Sequence, residues 1–327
     1  MKIAIVRLSA LGDIFQSMIA LQFIKSRYPS AQIDWFVDSS FQDALIGNDD
    51  IDNIIPVNLK DLKNNFSFKE LFSLIKKLKS CSSYDYIYDL QGLLKSALIC
   101  RFIPSKNRVG FDRKSIREKF AVFFYSKSVF IPYDENVIKR YISIFNSSLE
   151  LNVTTKEIFN KKPIFSYPKL TNTNHKKGLI IIGASFESKI YPVEKFARVI
   201  NSFDFDFIVS WKTPREKQMA NELINLSQRA KLSEKLNLSE LKDLVASSSI
   251  VIGGDTGPTH LAWAMNVPSI TIFGPTPMQR NMFKTKINLG ISPDNEVNPY
   301  KIDKKDFSIT RIDPNEISIL IKEILSL

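Results

Sequence analysis

Cysteine and histidine are both scarce in this chain of 327 residues. Its two cysteines, Cys81 and Cys100, are too few for a disulfide framework, which favours a reducing compartment such as the cytoplasm. The two histidines, His175 and His260, add little material for a metal cage. We therefore expect a cytoplasmic protein that uses no metal and no other cofactor.

Long apolar runs are also missing. Arg7 and Asp13 interrupt the first apolar segment, which is not the pattern of a signal peptide. No later run reaches the roughly 20 apolar residues that a membrane-spanning helix needs. A content of 44% hydrophobic and 24% charged residues, without low-complexity tracts, is typical of a globular protein. The length of 327 residues predicts two domains of about 160 residues each.

Acidic residues are the minority: 34 aspartates and glutamates face 45 lysines and arginines, for a net charge of +11. This excess favours an acidic partner, which could be nucleic acid, a phosphorylated sugar or an anionic lipid surface. The basic residues concentrate between Lys95 and Lys119, although a solvated surface explains such a run equally well. A nucleic-acid-binding protein is one alternative, but it predicts clustered surface aromatics with arginine, and the aromatic residues here mostly alternate within strands and helices.

Strand-like and helix-like patterns alternate in both halves of the chain. This alternation predicts an α/β protein in which each half is a doubly wound parallel sheet with helices on both faces. The predicted strands are 2–8, 32–37, 53–57, 85–90, 178–182, 206–211, 250–253 and 269–273. The predicted helices are 14–26, 42–46, 66–78, 193–201, 214–226, 238–246 and 257–265.

A polar, irregular stretch at 161–177 predicts a linker between the two domains. We expect a first domain over 1–165 and a second over 166–312. A final helix, 313–327, opens with an aspartate cap and a proline and carries one apolar stripe. We expect this helix to pack back on the first domain.

Only 11 glycines occur, and several directly follow predicted strands. In the segment GDTGPTHLA (254–262) a strand ends, Asp255 or Thr256 can cap a helix, and Pro258 can enter its first turn. The free N–H groups of such a helix start suit a pyrophosphate, and His260 is well placed there as a hydrogen-bonding group. The chain lacks the glycine patterns of dinucleotide dehydrogenases and P-loop NTPases, which disfavours both classes.

Two further residues sit in loops that lead from a strand to a helix. Asp13, in RLSALGD, could serve as a helix cap or as a general base for a hydroxyl group. Lys189 lies before a helix that Pro192 opens, and its ammonium group could neutralise a phosphate leaving group. The residues by themselves do not decide between these readings.

Together these segments resemble the heptosyltransferases of glycosyltransferase family 9, which build the inner core of lipopolysaccharide. The resemblance covers nearly the whole chain and is carried by IAIVRLSALGD (3–13), GDTGPTHLA (254–262) and FGPTPM (273–278). A fourth segment, DLQGLLKSAL (89–98), resembles the enzyme that adds the first heptose more than the one that adds the second.

The resemblance implies a GT-B fold, in which two Rossmann-like domains face a cleft. It implies an inverting, metal-independent transfer of L-glycero-D-manno-heptose from ADP-heptose to Kdo of Kdo-lipid A. The alternative on the same scaffold is a second heptosyltransferase or a transferase that uses another sugar nucleotide. We expect a monomer, either free in the cytoplasm or peripheral on the cytoplasmic face of the inner membrane.

The resemblance also assigns roles to individual residues. Asp13 would be the general base, and Lys189 would help to stabilise the departing ADP. Donor-binding residues would be Ser185, Glu216, Leu236, Asp255, Thr256, Gly257 and His260. Acceptor-binding residues would be Lys95, Arg113, Arg117 and Asn136. This chain departs from the family pattern in three places: Ala184 and Ser185 stand where relatives have a pair of threonines, Asn136 stands where they have a histidine, and Arg7 stands where some have lysine.

The predicted helix 66–78 combines apolar residues with several lysines. One reading buries its apolar face in the first domain and leaves the lysines in water, as in an ordinary amphipathic helix. The other rests that face on an anionic lipid surface, close to a lipid-linked acceptor. We expect the first.

Overall fold

Two six-stranded sheets, both entirely parallel, form the framework of the computed structural model, which describes residues 1–59, 67–167 and 176–326. Each sheet belongs to one of two units, Met1–Ser166 and Tyr167–Leu327. Helices flank both sheets, so the predicted α/β class with two doubly wound parallel sheets is confirmed.

The first unit begins with the strand that the sequence makes most obvious. Residues 3–6 of β1 are completely buried, as expected for a parallel strand covered by helices on both faces. The strands of this sheet lie in the order β3-β2-β1-β4-β5-β6. Their bounds are β1 Lys2–Val6, β2 Gln32–Asp38, β3 Asn53–Val57, β4 Tyr86–Asp89, β5 Arg108–Phe111 and β6 Lys127–Val129.

Two of the predicted helices of the first unit differ from the observed ones, and the helices Leu94–Phe102, Val137–Leu149 and Thr155–Phe159 were not predicted. A turn at residues 19 and 20 divides the predicted helix 14–26 into two, and the predicted helix 42–46 is a 3-10 helix, Ser39–Ala44. A second 3-10 helix covers Lys119–Phe124. The α-helices are α1 Leu11–Met18, α2 Leu21–Arg27, α3 Phe68–Lys79, α4 Leu94–Phe102, α5 Val137–Leu149 and α6 Thr155–Phe159.

Helix α3 corrects the expectation for 66–78, whose first residue lies outside the described part of the chain. Its inner side joins the core through Leu74 and Leu78. Phe68 and Phe72, however, are 79% and 72% exposed. The apolar residues of this helix therefore divide between a buried leucine side and an exposed phenylalanine side.

The second unit repeats the topology of the first, with strand order β12-β11-β10-β7-β8-β9. Its strands are β7 Lys177–Ile181, β8 Asp206–Ser210, β9 Ala230–Leu232, β10 Ile250–Gly254, β11 Ser269–Ile272 and β12 Asn288–Ile291. Its α-helices are α7 Val193–Ile200, α8 Pro214–Leu226, α9 Leu238–Ala246, α10 Gly257–Ala264, α11 Met278–Asn281 and α12 Pro314–Leu325.

The terminal helix α12 packs within the second unit. It lies against α7, and its Ile317 and Ile321 are completely buried in the core of that unit. Just before it, the Ile312 carbonyl accepts a hydrogen bond from the buried Tyr191 hydroxyl at 3.0 Å. From the sequence we expected this helix to pack on the first domain, but in the structure it belongs to the second unit.

In each sheet the first three strands are added toward one edge and the next three toward the other, so the strand order reverses at β1/β4 and at β7/β10. In open parallel sheets, ligands bind at the carboxyl ends of the strands beside such a switch point. We therefore expect ligand-binding residues in the loops that follow these four strands.

Candidate active site

In the first unit, Asp13 lies at the start of the helix that follows β1 and forms an ion pair with Arg7. Helix α1 begins at Leu11 after Ala10, so Asp13 is the third residue of the helix and does not cap it. Its Oδ2 lies 2.5 Å from Arg7 Nη2, and the side chains of Asp13 and Arg7 are 39% and 8% exposed. The carboxylate thus reaches solvent while a buried guanidinium holds one of its oxygens.

Arg7 also ties this loop to the end of β4. Its Nη1 donates to the Leu90 carbonyl at 2.6 Å. Burial alone would lower the pKa of Arg7, but the Asp13 carboxylate outweighs it, and the pKa of Arg7 lies above its ordinary value. The guanidinium is therefore a permanent positive charge beside Asp13.

Gln91 makes the second connection between these two loops. The Leu8 N–H donates to Gln91 Oε1 at 2.8 Å, and Gln91 Nε2 donates to Ser9 Oγ at 3.3 Å. The sequence hypothesis gave Gln91 no role of its own. Its place between a strand end and a glycine was the only signal that could have pointed to it.

A buried aspartate shapes the loop that carries Gln91. Asp89 is fully buried and accepts hydrogen bonds from the N–H groups of Gln91 and Gly92 at 2.8 and 3.0 Å. Ser96 Oγ and the Tyr125 hydroxyl each donate to it at 2.8 Å. Burial raises the pKa of Asp89 above its ordinary value, although these four hydrogen bonds oppose the shift. Asp89 thus organises the loop rather than facing a ligand.

In the second unit, Asp255 is the centre of a buried polar cluster at the end of β10. His260 Nε2 lies 2.8 Å from Asp255 Oδ1, and Lys189 Nζ lies 3.1 Å from Oδ2. Asn281 Nδ2 donates to Oδ2 at 3.1 Å. Asp255 and Lys189 are only 6% and 9% exposed, so this ion pair is nearly buried.

Electrostatics keep that carboxylate ionised. Burial would raise the pKa of Asp255, but the Lys189 ammonium and the hydrogen bond from His260 outweigh it, and the pKa lies well below its ordinary value. Asp255 therefore fixes the positions of two donor groups, those of Lys189 and His260, next to the start of α10.

The start of α10 is formed by tight packing of two loops. Thr256 precedes the helix, and its N–H donates to Thr259 Oγ1 at 3.2 Å. A Cβ at Gly254 would lie 2.6 Å from the Lys189 carbonyl oxygen, so only glycine lets the two loops approach this closely. The result is a helix N-terminus with a lysine and a histidine beside it, an arrangement that suits an anionic group.

Comparison with known proteins identifies the family to which this chain belongs. The family model of glycosyltransferase family 9 (heptosyltransferase) matches residues 71–301. The chain belongs to glycosyltransferase family 9. It is an enzyme of the glycosyltransferase class, as predicted.

Several curated proteins resemble this family 9 enzyme along most of its length. It is 39% identical to lipopolysaccharide heptosyltransferase 1 of Campylobacter coli over 99% of both chains. It is 24% identical to the protein of the same name from Escherichia coli K12, over 84% of this chain and 88% of the other. It is 26% identical to lipooligosaccharide heptosyltransferase 2 of Campylobacter jejuni, over 84% of this chain and 82% of the other.

Solved structures of the family share the fold. The Escherichia coli heptosyltransferase WaaC with ADP superposes with a TM-score of 0.81 at 21% identity, over 99% of this chain and 100% of the other. The Escherichia coli ADP-heptose heptosyltransferase II gives a TM-score of 0.70 at 17% identity, over 100% of this chain and 99% of the other. The predicted GT-B-type α/β fold is confirmed.

The other residues that the sequence predicted to bind the donor lie in three places. Ser185 is exposed just after β7. Glu216 completes the capping box of α8, since its Oε2 accepts from the N–H groups of Lys212 and Thr213 at 2.6 and 3.2 Å, and its carboxyl group lies against Gly183 after β7. Leu236 is half-buried between β9 and α9. Ser185 and Glu216 thus share one edge of the sheet.

Of the residues predicted to bind the acceptor, Lys95, Arg113 and Arg117 are all exposed. The Leu94 N–H donates to Glu118 Oε2 at 2.7 Å, which brings the start of α4 next to the 117–118 segment. Asn136 is different, because it is only 7% exposed and its Oδ1 caps α5 by accepting from the Ile138 N–H at 3.0 Å. Its capping role was not predicted.

The described residues, 1–59, 67–167 and 176–326, contain neither a metal-binding cluster nor a membrane-spanning helix. In these ranges no cluster of three or more histidine, cysteine, aspartate or glutamate side chains is arranged to hold a metal ion. Within the same ranges, no helix has both the length and the apolar character needed to cross a bilayer.

Proposed function

We propose that this enzyme transfers L-glycero-D-manno-heptose from ADP-heptose to Kdo of Kdo-lipid A, in the inner core of lipopolysaccharide. The strongest support is the 39% identity to a heptosyltransferase 1 over 99% of both chains. The segment DLQGLLKSAL adds to it, since Asp89 and Gln91 in that segment order the loop that adjoins the proposed base.

Asp13 is the proposed general base. A Kdo hydroxyl oxygen attacks the anomeric carbon of the heptose, the bond from that carbon to the β-phosphate oxygen breaks, and ADP departs. The hydroxyl proton passes to Asp13, and the configuration at the anomeric carbon inverts. Support comes from the pairing with Arg7, which holds Oδ2 at 2.5 Å and leaves the carboxylate partly exposed. A carboxylate that is already held in one orientation loses less conformational entropy when the acceptor binds.

The groups around Asp255 would stabilise the negative charge that develops on ADP as it departs. Lys189 keeps one contact to Asp255 and has further N–H protons for a phosphate oxygen. The N-terminus of α10, at Thr256 and Gly257, adds backbone N–H groups and the positive end of the helix dipole. With His260 beside them, we propose that these groups supply the charge stabilisation that a divalent cation provides in other transferases, so that the reaction is independent of metal.

Other residues would bind the rest of the two substrates. Ser185 would contact a phosphate, and Glu216 and Leu236 would line the nucleoside pocket. Lys95, Arg113 and Arg117 would hold the acidic acceptor, with Asn136 supporting them by fixing the start of α5. The exposure of the three cationic side chains supports this role.

We further propose that the enzyme acts as a monomer at the cytoplasmic face of the inner membrane. The acceptor of the proposed reaction is a lipid, which places the reaction at a bilayer surface. Size-exclusion chromatography with light scattering gives the oligomeric state, and a mass of about twice that of one chain would contradict the monomer.

The test is turnover of ADP-heptose with Kdo-lipid A, followed by mass spectrometry of the lipid product. We expect one heptose to be added, with and without EDTA. An acceptor that already carries one heptose is the matched control. Transfer to that acceptor alone would show a second heptosyltransferase, and no transfer to either would overturn the proposal.

Asp13→Asn tests the base in the same assay. Because the amide is isosteric but cannot accept the proton, we expect kcat to fall about 10²–10⁴-fold. Affinity for ADP should stay unchanged, since the residues around Asp255 that are proposed to bind ADP belong to the second unit. A rate within a factor of two of the wild type would remove Asp13 from the mechanism.

A further inference from the structure

Three neighbouring helical segments of the first unit share an exposed surface, which we call the aromatic face. Helix α3 packs beside α4, and α4 packs beside the 3-10 helix Lys119–Phe124. Each segment contributes a pair of exposed large apolar side chains. The aromatic face consists of Phe68, Phe72, Leu94, Leu98, Phe120 and Phe123.

Exposure on this face is high for such residues. Phe68 and Phe72 are 79% and 72% exposed, and Phe120 and Phe123 are 72% and 75% exposed with their ring centroids 6.2 Å apart. Single exposed apolar residues are common in proteins, but a group on neighbouring segments marks an interaction surface. The aromatic face is therefore a candidate binding surface.

Basic side chains lie within the same stripe. On α3, Phe68 and Phe72 are one turn apart, and Lys76 and Lys79 continue that line at helical spacing, on the side away from the buried Leu74 and Leu78. Exposed cations continue on the other two segments. They are Lys95, Arg101 and Lys119, and Lys69 is a further exposed cation on α3 itself. A surface that combines exposed rings with a basic border is complementary to an anionic bilayer, in which rings enter the interface and lysines meet the headgroups.

The other occupants fit less well. A second copy of this chain would bring the same positive border against itself, which is repulsive. A single-stranded nucleic acid stacks its bases on aromatic rings, but Leu94 and Leu98 lie between the two phenylalanine pairs and offer no such platform.

The face also adjoins the proposed acceptor residues, since Leu94 precedes Lys95 on α4. This point rests on the proposed function, because only a lipid-linked acceptor requires that edge to approach a membrane. We propose that the aromatic face docks the enzyme on anionic membrane surfaces.

Vesicle sedimentation tests this docking. The protein is mixed with vesicles of phosphatidylethanolamine and phosphatidylglycerol, or with vesicles of phosphatidylcholine alone. We expect retention on the anionic vesicles and little on the neutral ones. Absence of retention on the anionic vesicles would overturn the proposal.

Two double variants separate the contributions of rings and charges. Phe68→Ser with Phe72→Ser keeps the net charge, and we expect at least about a tenfold loss of partition because less apolar area is buried. Lys69→Glu with Lys76→Glu should lose about 25-fold or more, since each lysine near an anionic surface contributes roughly fivefold. Both variants change exposed side chains, so their melting temperatures should match that of the wild type.

A charge-matched control uses lysines of the second unit. Lys301→Glu with Lys322→Glu changes the net charge by the same amount at exposed positions of the unit that does not carry the aromatic face. It should keep most of the retention. An equal loss of vesicle retention in this control would mean that the anionic vesicles attract any basic protein, which contradicts a specific docking face. Unchanged retention of the phenylalanine variant would show that the rings do not contribute to binding.

Two further measurements identify the competing occupants. If light scattering shows a dimer that Phe68→Ser with Phe72→Ser dissociates, a second copy covers the face. If a single-stranded oligonucleotide prevents vesicle retention and binds through the same phenylalanines, the partner is nucleic acid. Either result overturns the membrane assignment. Retention is measured without substrates, so its failure is distinguishable from failure of the proposed heptosyl transfer.

Discussion

Removing the charge of Asp255 should destabilise the second unit strongly. Its carboxylate is 6% exposed and pairs with Lys189 at 3.1 Å and with His260 at 2.8 Å. Asp255→Asn keeps the shape but leaves a buried ammonium without its counter-charge, which typically costs about 3–5 kcal/mol. For a unit of this size, about 3 kcal/mol corresponds to a fall in melting temperature of roughly 6–12 °C.

Calorimetry or circular dichroism measures this change, and the chain offers a matched control. Asp206 forms an exposed pair with Lys231 in the same unit, so Asp206→Asn should cost less than about 0.5 kcal/mol. A third variant, Asp255→Asn with Lys189→Met, removes both charges and should recover part of the loss. If Asp255→Asn melts within about 1 °C of the wild type, the buried-pair reasoning is wrong.

The pH dependence provides an independent check with a definite sign. The pKa of Asp255 is lowered in the folded protein, chiefly because Lys189 and His260 outweigh burial. The resulting stabilisation is therefore fully present above the ordinary carboxyl pKa, near 4, and is lost as the pH falls toward the lowered value. The difference in stability between wild type and Asp255→Asn should therefore shrink as the pH falls below about 4.

Two further predictions concern the loop after β4. Gln91→Leu removes both links to the Asp13 loop, so kcat should fall about tenfold while ADP affinity, measured by calorimetry, stays the same; an unchanged kcat would show that the links do not position the base. Gly92→Ala places a methyl group 2.7 Å from the Ile116 side chain at a residue with φ of +66°, and should cost about 1–3 kcal/mol in a denaturant titration. A variant as stable as the wild type would show that this turn relaxes without cost.

Sequence patterns located the central strands and several helices well. The buried runs of β1 and β10 are continuous and apolar, a pattern that helices on both faces of a parallel sheet produce. Helix α8 has the predicted bounds because Thr213 caps it and Pro214 opens it, and both signals are local. The short strands β5, β6, β9 and β12, near the sheet edges, were not predicted, since three or four residues carry too little periodicity.

The sequence by itself determined the α/β class and the two-fold repetition of strand and helix, because both follow from local periodicity and turn residues. It also marked Asp13 and Asp255 as chemically interesting, since both follow strands in loops that open helices. What they contact was decided by the tertiary structure. The Arg7–Asp13 pair depends on how the turn between β1 and α1 brings together two residues six positions apart, and the Asp255–Lys189 pair joins residues that are far apart in sequence.

The same holds for α3 and α12. Amphipathic patterns showed that each helix has an apolar side, but a pattern does not say which surface receives it. Packing against α7 buries the stripe of α12 within the second unit. Packing through the leucine side of α3 leaves its phenylalanines in solvent. Partner choice depends on contacts between residues distant in the chain, and only the folded structure fixes those.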